Sequence, residues 1–412
     1  MDKMRETLQR WRRRAKRLNA QNVSPPARIW RDTQPREQFD VLFVGDTAFG
    51  ENYQEDREKR GRTNILKEHG YAYSFARVAP LLNSADLAIA NLETPLTAMT
   101  SSPLEGKRPW VHRSDPLEAP KHLLALNIKA VTLANNHSAD YGTQGLFDTL
   151  ETLAQNGILA AGAGRNLKEA QQPLEIAAVV TSDGTDATPF KMRVFSVYRG
   201  GRQFTEDIHE HADDSRPGSA PLKAGNLARR IRRAKERDPA ELVVVCPHWR
   251  RDYQWRSKRQ AEICAQLMDA GADLILGHGS HTIQEIEQFS GRWVVHGLGN
   301  FVFNSGGRYK STGAPPYGLV ARLSARRDQL WLRLYPIAIN NRRTKYQPRL
   351  VSERRFNEVV DLLTERTNAR EAFERDFRRT QDEFGWHLAT PLRGSSETPR
   401  SLSTSTARRQ SP

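Results

Sequence analysis

The chain has 412 residues, of which 38% are hydrophobic and 27% charged, and its net charge is +15. This composition is typical of a folded, water-soluble protein, and no apolar run reaches the ~18 residues of a membrane-spanning helix. The two cysteines, Cys246 and Cys264, are too few for a disulfide framework and lack metal-finger spacing.

The positive charge is concentrated at the two ends of the chain. Residues 1–31 contribute a net +8 and residues 391–412 a net +3, so residues 32–390 carry only +4. Binding of nucleic acid through its phosphates requires a basic face on the folded part, which this balance does not predict. We interpret the N-terminal segment as a solvated arm open to weak contact with RNA, anionic lipid or an acidic surface. Because this segment lacks the apolar core of a secretory signal, we expect a cytoplasmic protein.

Taken in chain order, prolines at 25, 26 and 35 indicate that residues 1–38 form a basic arm and linker. The globular domain is predicted to begin at Phe39. Residues 50–70 carry charges without periodicity and are predicted to form a loop, and residues 71–83 are predicted to form a helix.

Five apolar runs of the domain stop at polar side chains. They cover residues 40–46, 86–93, 131–137, 242–248 and 273–281, and each is typical of a buried strand. The side chains at their ends are Asp46, Glu93, Asn135, Asn136, His137, His248, His278 and His281. In open α/β sheets, ligands bind at the carboxyl ends of the strands, so we expect these groups to meet. Carboxylate, amide and imidazole groups suit manganese, iron or zinc.

The second half of the chain contains more hairpin-like patterns than the first half. Residues 174–198 are predicted to form a hairpin, residues 222–237 and 257–270 helices, and residues 318–323 and 330–339 strands of a second sheet. We therefore predict an α/β domain of two sheets packed face to face with helices outside. The domain is expected over residues 39–345, C-terminal helices over 346–388, and a disordered tail over 389–412.

Six motifs occur in order between residues 40 and 305. They are Gly45-Asp46, Asn91-Leu-Glu93, Ala134-Asn-Asn-His137 with Asp140 and Gly142, His248-Trp249, Gly271-Ala-Asp-Leu-Ile-Leu-Gly-His278-x-x-His281 with Gln284, and Leu298-Gly-Asn-Phe301-x-Phe303. In this set the chain resembles the CapA family of capsule, or poly-γ-glutamate, synthesis proteins. The resemblance implies a four-layer α/β/β/α metallophosphatase-like sandwich, related to calcineurin-like phosphoesterases, with a site for two divalent metal ions at the strand ends.

The resemblance also implies roles for individual residues. The implied metal ligands are Asp46, Glu93, Asn136, His248, His278 and His281, and the implied catalytic residues are His137 and Asp140. Because successive side chains of a strand point to opposite sides, only one of Asn135 and Asn136 is expected to face the metal, and we leave open which one. His296 and Asn300 are expected to support the ligands. The other histidines, His69, His112, His122, His209, His211 and His387, are predicted to lie on the surface.

Two features depart from the family pattern. Arg250 follows His248-Trp249 where family members commonly have glycine, and we interpret Arg250 or Arg251 as a contact to an anionic substrate, because a guanidinium matches phosphate or carboxylate. The membrane anchor that capsule-assembly members often carry is not seen in this sequence.

We expect a site of this kind to catalyse hydrolysis. A metal pair bridged by carboxylate activates water and clamps the reacting oxygens, and His137 is expected to give a proton to the leaving group. Our first hypothesis is a metal-dependent hydrolase of the phosphoesterase type linked to an anionic polymer such as poly-γ-glutamate. The alternatives are a non-catalytic, metal-containing polymer-binding or assembly protein, and a phosphodiesterase that acts on nucleic acid and uses the basic arm.

Overall fold

The computed structural model describes residues 23–182, 186–201 and 208–393. The strands are β1 (Ile29–Arg36), β2 (Phe39–Ala48), β3 (Leu87–Leu92), β4 (Ile128–Thr132), β5 (Leu159–Ala161), β6 (Ala163–Gly164), β7 (Leu174–Ser182), β8 (Asp186–Tyr198), β9 (Gly218–Ser219), β10 (Leu242–His248), β11 (Leu274–Leu276), β12 (Ile286–Phe289), β13 (Arg292–Val295), β14 (Asn300–Phe303), β15 (Tyr317–Ala325), β16 (Leu330–Ala338), β17 (Arg349–Leu350), β18 (Arg378–Gln381) and β19 (Trp386–Arg393). The helices are α1 (Glu51–Lys59), α2 (Ile65–His69), α3 (Ala79–Asn83), α4 (Ala119–Leu124), α5 (Gly142–Gln155), α6 (Leu167–Ala170), α7 (Ala224–Arg237), α8 (Lys258–Asp269), α9 (Tyr309–Thr312), α10 (Asn341–Thr344), α11 (Glu353–Arg366) and α12 (Arg370–Asp376), and Tyr71–Phe75 form a 3₁₀ helix.

The strands form two large sheets of a mixed α/β fold. The ten-stranded sheet has the order β18-β19-β16-β15-β2-β3-β4-β5, with β14 beside β2 and β17 beside β16. The seven-stranded sheet has the order β1-β7-β8-β10-β11-β13-β12. Strands β2 to β5 are parallel to one another, and so are β8, β10, β11 and β13. Each sheet therefore has a group of parallel strands whose carboxyl ends lie at one edge.

The alternation of apolar side chains on β2 explains how the ten-stranded sheet is buried. Phe39, Val41 and Phe43 belong to an apolar cluster that also contains side chains of the seven-stranded sheet. Leu42 and Val44 point to the other side, into a cluster with residues of the helices that follow. Each fully buried side chain of this kind stabilises the fold by about 1.5–3 kcal/mol. Both faces of β2 are therefore apolar, which is why the whole strand is buried.

The outer face of the seven-stranded sheet is covered by α7 and α8. Leu227 and Ile231 of α7 and Leu267 of α8 share one apolar cluster with Val243 and Val245 of β10. Helix α8 starts with a capping box, in which the Ser257 side chain accepts a hydrogen bond from the Gln260 backbone N–H. Both helices, and the hairpin of β7 and β8, agree with the predicted elements.

The prediction that the linker extends to residue 38 was wrong for residues 29–36. Residues 29–36 form β1, the edge strand of the seven-stranded sheet, and β1 is parallel to β7. Trp30 stacks on Phe39 with 5.2 Å between ring centroids, which ties this strand to the start of β2. Pro35 has no backbone N–H to donate, which an edge strand tolerates because one of its sides has no neighbouring strand. The basic arm of residues 1–22 lies outside the described residues.

The prediction of a loop over residues 50–70 was also wrong, because α1 and α2 lie there. Their contacts are polar and non-local: the Gln54 side chain donates to the Asn304 carbonyl at 2.8 Å and accepts from the Ile65 N–H at 3.0 Å. Apolar periodicity does not reveal helices held in this way. The predicted helix over residues 71–83 is divided into the 3₁₀ helix and α3, because Pro80 fits only the first turn of a helix.

The C-terminal segment contains more strands than predicted. Helices α11 and α12 are present, but residues 346–388 also contribute β17 and β18 and the start of β19. Strand β19 continues to Arg393, pairs with β16 and therefore includes residues that were expected in the disordered tail. The remaining tail, residues 394–412, lies outside the described residues. None of the helices in the described ranges is long and apolar enough to cross a membrane.

Our first prediction concerns Gly45, where β2 approaches the chain before β14. A Cβ atom at Gly45 would lie 1.9 Å from the Gly299 carbonyl oxygen, which accepts a hydrogen bond from the Asp46 N–H at 2.9 Å. We expect Gly45→Ala to lower the free energy of unfolding by about 1–3 kcal/mol, because the backbone must shift. Denaturant titration measures this change.

The matched control is Gly225→Ala in α7. The nearest atom to an added Cβ there is Arg229 Nη1 at 4.0 Å. This substitution should leave the free energy of unfolding unchanged or raise it by up to about 1 kcal/mol. Equal unfolding midpoints for the two variants would contradict the close approach at Gly45.

Candidate functional site

The carboxyl ends of strands from both sheets meet at one place. Asp46 lies near the end of β2 and Glu93 directly follows β3, while His248 ends β10 and His278 follows β11. His278 Nδ1 is 3.7 Å from Asp46 Oδ1, and His248 Nε2 is 3.6 Å from Glu93 Oε1. His281 Nδ1 lies 3.3 Å from Asp46 Oδ2. Two carboxylates and three imidazoles are thus brought together across the two sheets.

Several atoms of this cluster are suited to a cation. One ligand atom each from Asp46, Glu93 and His281 lie within 4.8 Å of one another. Glu93 Oε2 and His278 Nδ1 are buried and have no hydrogen-bond partner among the described residues. Leaving such atoms unpaired inside a protein is costly, and a bound divalent cation would remove that cost. The donor set therefore fits a metal ion.

The side-chain amide of Asn136 reaches the same cluster. In one orientation its oxygen lies 2.8 Å from His248 Nε2. In the reverse orientation its nitrogen donates to His248 Nε2 at 2.8 Å and Glu93 Oε1 at 3.2 Å, and its oxygen accepts from Arg108 Nη2 at 2.9 Å. The reverse orientation satisfies the hydrogen bonds of the Asn136 amide when no cation is bound. A cation beside Glu93 and His248 would instead draw the amide oxygen towards it.

Asn135 has a different role from its neighbour. Both residues lie in the turn after β4, so the alternation of a strand does not decide between them. Asn135 Nδ2 donates to the Leu92 carbonyl at 2.8 Å, and its Oδ1 accepts from the His137 N–H at 3.0 Å. Its polar atoms are used inside the turn. Asn135 therefore shapes the turn that presents Asn136 and His137, and it does not face the donor cluster.

Burial and charge set the protonation of the cluster. Burial would raise the pKa of Asp46, but the His278 and His281 imidazoles beside it hold that pKa well below its usual range. Burial and the nearby Asp46 raise the pKa of Glu93 well above its usual range. Burial lowers the pKa of His248 to about 3, so this imidazole is neutral and offers a lone pair.

His137 lies beside the cluster and is oriented by Asp140. Its Nδ1 is 2.6 Å from Asp140 Oδ2, and its Nε2 faces Glu93 Oε1 at 3.8 Å. Arg108 Nη1 is 2.9 Å from the other oxygen of Asp140. Burial, followed by the Arg108 charge, lowers the pKa of His137 well below its usual value. The imidazole is therefore neutral, and Asp140 holds the ring through Nδ1 so that Nε2 lies 3.0 Å from a side-chain amide atom of Asn136.

His112 was wrongly predicted to be a surface residue. Its side chain is buried, and its ring stacks on His137 with 3.4 Å between centroids. His112 Nδ1 is 2.8 Å from the Glu93 carbonyl oxygen, and its Nε2 is 2.7 Å from the Tyr53 hydroxyl. It lies in a long loop with no apolar run before it, so the pattern of strand ends could not identify it. The same holds for Arg108.

The other predicted site residues differ in whether they reach the donor cluster. Asn300 Oδ1 lies 2.8 Å from His281 Nδ1, so Asn300 contacts a residue of the cluster. The His296 ring is bonded to Glu287 at 2.8 Å and does not reach the cluster, although its carbonyl accepts from Trp249 Nε1 at 2.9 Å. Arg250 is exposed and lines the cavity above the site. His387, another predicted surface residue, is buried.

A cavity of about 1000 Å³ opens onto this cluster. Asn136, His137 and His281 lie on its wall, so the cluster can be reached from outside. Its other wall residues include many arginines and several aromatic residues. The volume lies at the upper end of the usual range for ligand sites.

Glu51 holds the loop that carries Arg108 and His112. Its carboxylate accepts hydrogen bonds from the Asp115 N–H at 2.7 Å, the Ser114 hydroxyl at 3.0 Å and the Tyr71 hydroxyl at 3.1 Å. Burial raises the pKa of Glu51 to about 7. This residue at the start of α1 therefore links that helix to the loop.

Comparison with known proteins agrees with the motifs. A family model described as "Bacterial capsule synthesis protein PGA_cap" matches residues 40–305. The capsule biosynthesis protein CapA of Bacillus anthracis is 29% identical over 277 residues, which are 66% of this chain and 61% of that protein. The PGA biosynthesis protein CapA of Bacillus subtilis is 30% identical over 276 residues, which are 65% and 64% of the two chains.

Another relative has a related name. A probable polyglutamine synthesis accessory protein of Mycobacterium tuberculosis is 31% identical over 234 residues, which are 55% of this chain and 58% of that protein. The chain thus spans about three-fifths of the length of these relatives.

Our second prediction concerns the pH dependence of stability at Glu51. The folded protein keeps a proton on this carboxyl up to about pH 7, whereas the usual value, 4.5, applies to the unfolded chain. The folded state binds more protons between these values, so the contribution of Glu51 to stability falls as the pH rises from 4.5 to 7. In Glu51→Gln, which cannot ionise, we expect a weaker loss of stability over this range. Denaturant titrations at a series of pH values measure it, and identical slopes for both proteins would contradict the assignment.

Proposed function

The chain belongs to the bacterial capsule synthesis protein family PGA_cap, and on this premise we propose that it is a metal-dependent hydrolase of the phosphoesterase type. We propose that it acts in the synthesis of an anionic polymer such as poly-γ-glutamate. The observation that supports this most is the meeting of Asp46, Glu93, His248, His278 and His281 in one cluster, which an open cavity reaches at His281.

Two atoms of the proposed metal site have no hydrogen-bond partner among the residues that the structure describes. Asp46, Glu93, Asn136, His248, His278 and His281 would hold one or two divalent ions of manganese, iron or zinc. Carboxylate, amide and neutral imidazole groups suit these metals, and the unpaired Glu93 Oε2 and His278 Nδ1 support the assignment. Such ions, when bound, supply Lewis acidity towards an anionic ester.

The proposed role of His137 is to move a proton at Nε2. Asp140 fixes the ring through Nδ1, so that Nε2 points at the cluster. From the sequence we expected His137 to donate a proton to the leaving group. Burial lowers the pKa of His137, and an anion bound next to the ring would favour the protonated form that donates to the leaving group. His112 supports the ring from its other face by stacking.

We also propose that the two sheets and their helices form the four-layer α/β/β/α sandwich implied by the family resemblance. Three apolar clusters support this arrangement. One cluster lies between the sheets, one between the ten-stranded sheet and helices such as α5, and one between the seven-stranded sheet and α7 and α8.

A non-catalytic assembly protein is the second candidate function. The relatives' names describe biosynthesis and an accessory role. Such a protein would retain the metal for ligand capture, and it would bind the polymer without turnover.

Our third prediction concerns metal content. We expect purified protein to contain manganese, iron or zinc, and Asp46→Asn and His281→Ala to lose it, because both residues lie within the donor cluster. Chelation should lower the melting temperature of the wild type, since a ligand at 100 times its Kd stabilises the folded state by about 2.7 kcal/mol. Elemental analysis and thermal unfolding with and without a chelator provide the measurements.

The control for metal content is Asp252→Asn, which removes an exposed carboxylate paired with Arg308 at 3.0 Å. This variant should keep its metal. A wild-type protein that retains no divalent metal after reconstitution would contradict the metal site.

Our fourth prediction concerns catalysis by His137. With manganese and a generic phosphodiester such as bis-p-nitrophenyl phosphate, we expect His137→Ala to lower kcat about 100-fold or more, the usual effect of removing a proton-transfer group. Asp140→Asn should lower it less, because the imidazole remains. His69→Ala, which changes a histidine far from the cavity wall, is the control. Equal rates for wild type and His137→Ala would refute the proton role, and polymer binding without turnover at any metal would favour the assembly protein.

A further inference from the structure

One side of the cavity carries arginines that the chemistry above does not use. Arg57 and Arg60 lie at the end of α1, Arg62 follows it, and Arg342 lies in α10. Arg60, Arg62 and Arg342 are exposed. Within the described part of the chain, none of these four guanidiniums forms an ion pair with a carboxylate. We call these four residues the arginine shelf.

The acidic residues of the same cavity are already paired. Asp56 lies 3.6 Å from the Lys59 ammonium, and Asp252 lies 3.0 Å from the Arg308 guanidinium. Glu210 lies 3.8 Å from the Arg108 guanidinium. The positive charge of the shelf is therefore not cancelled by the cavity wall.

One arginine of the shelf is held in place by an aromatic ring. The Arg57 guanidinium lies 5.0 Å above the Tyr346 ring, and its Nε donates to the Thr63 carbonyl at 3.0 Å. Tyr346 and the preceding Lys345 have φ angles of 63° and 56°, in the left-handed region that is costly for such residues. The turn that presents the ring to Arg57 is thus maintained by its surroundings, so this cation is preorganised.

The aromatic faces of the cavity are largely used inside the protein. Arg57 covers Tyr346, and the Arg308 guanidinium lies 4.9 Å above the Tyr253 ring. Single-stranded nucleic acid binds by stacking its bases on free aromatic rings. Trp110, another aromatic residue of the cavity wall, is half exposed. The wall is better suited to a ligand with repeated anionic groups and no rings.

We infer that the arginine shelf is a binding subsite for carboxylates along an extended polyanionic chain, next to the cluster around Asp46 and His137. This inference rests on the proposed function for its polymer. Guanidinium groups pair with carboxylates in a planar, two-point geometry, and several such pairs select a chain over a single small anion. The cavity of about 1000 Å³ has room for several repeat units.

The test compares two triple variants of the full chain that remove equal charge. Arg60→Gln, Arg62→Gln and Arg342→Gln alter the shelf, whereas Arg229→Gln, Arg232→Gln and Arg233→Gln alter the exposed face of α7, outside the cavity. All six side chains are exposed, so both variants should fold, which thermal unfolding verifies.

Fluorescence anisotropy measures binding of labelled poly-γ-glutamate at low salt. We expect the shelf variant to raise the Kd about tenfold or more. The α7 variant should raise the Kd less than about twofold, since each exposed charge contact contributes modestly. Free glutamate, used as a competitor, should displace the polymer only weakly.

Three results would overturn the inference. They are equal weakening in both variants, absence of polymer binding by the wild type, and an oligothymidylate of equal charge that binds as tightly and depends on the same arginines. The binding assay needs no turnover. A protein that hydrolyses nothing but loses polymer affinity in the shelf variant keeps the subsite and refutes only the hydrolase.

Discussion

The buried carboxylate of Asp46 is the constraint on which the site depends. A carboxylate with no exposure to water must be given donors by the protein. The Gly279 N–H lies 3.1 Å from each of its oxygens, and Asn91 Nδ2 donates to Oδ1 at 2.9 Å. Gly279 belongs to the loop after β11 of the other sheet, so one side chain links the two sheets. The residues of this loop, His278 and His281, are positioned by the same contact.

A second group of residues supports His137, and two of its members, Arg108 and His112, come from a loop instead of a strand end. Asp140 fixes one nitrogen of the imidazole, Arg108 pairs with Asp140, and His112 stacks on the ring. This loop is anchored at Glu51, a carboxyl whose pKa burial raises to about 7. The site thus has donors that follow strand ends and a histidine, His137, whose orientation depends on loop contacts.

The charges in the cavity are separated in space. Carboxylates and imidazoles form the cluster beneath the cavity, where a cation would bind, and the arginine shelf lies on the cavity wall, where anions would bind. Opposite fields at these two places would orient an anionic chain so that one unit reaches the cluster. Under the proposed function, a metal ion and a polyanion would bind at separate places, so that the two charges would not cancel each other.

The sequence by itself determined where buried strands end in polar groups, because a run of apolar residues that stops at Asp46 or His278 is a local pattern. It also determined the helices α7 and α8, whose apolar faces repeat every three or four residues. Only the tertiary structure decided that Asn136 faces the cluster, that His112 stacks on His137, and that residues 29–36 form an edge strand. These features depend on contacts between residues far apart in the chain, for which a local pattern of side chains contains no signal.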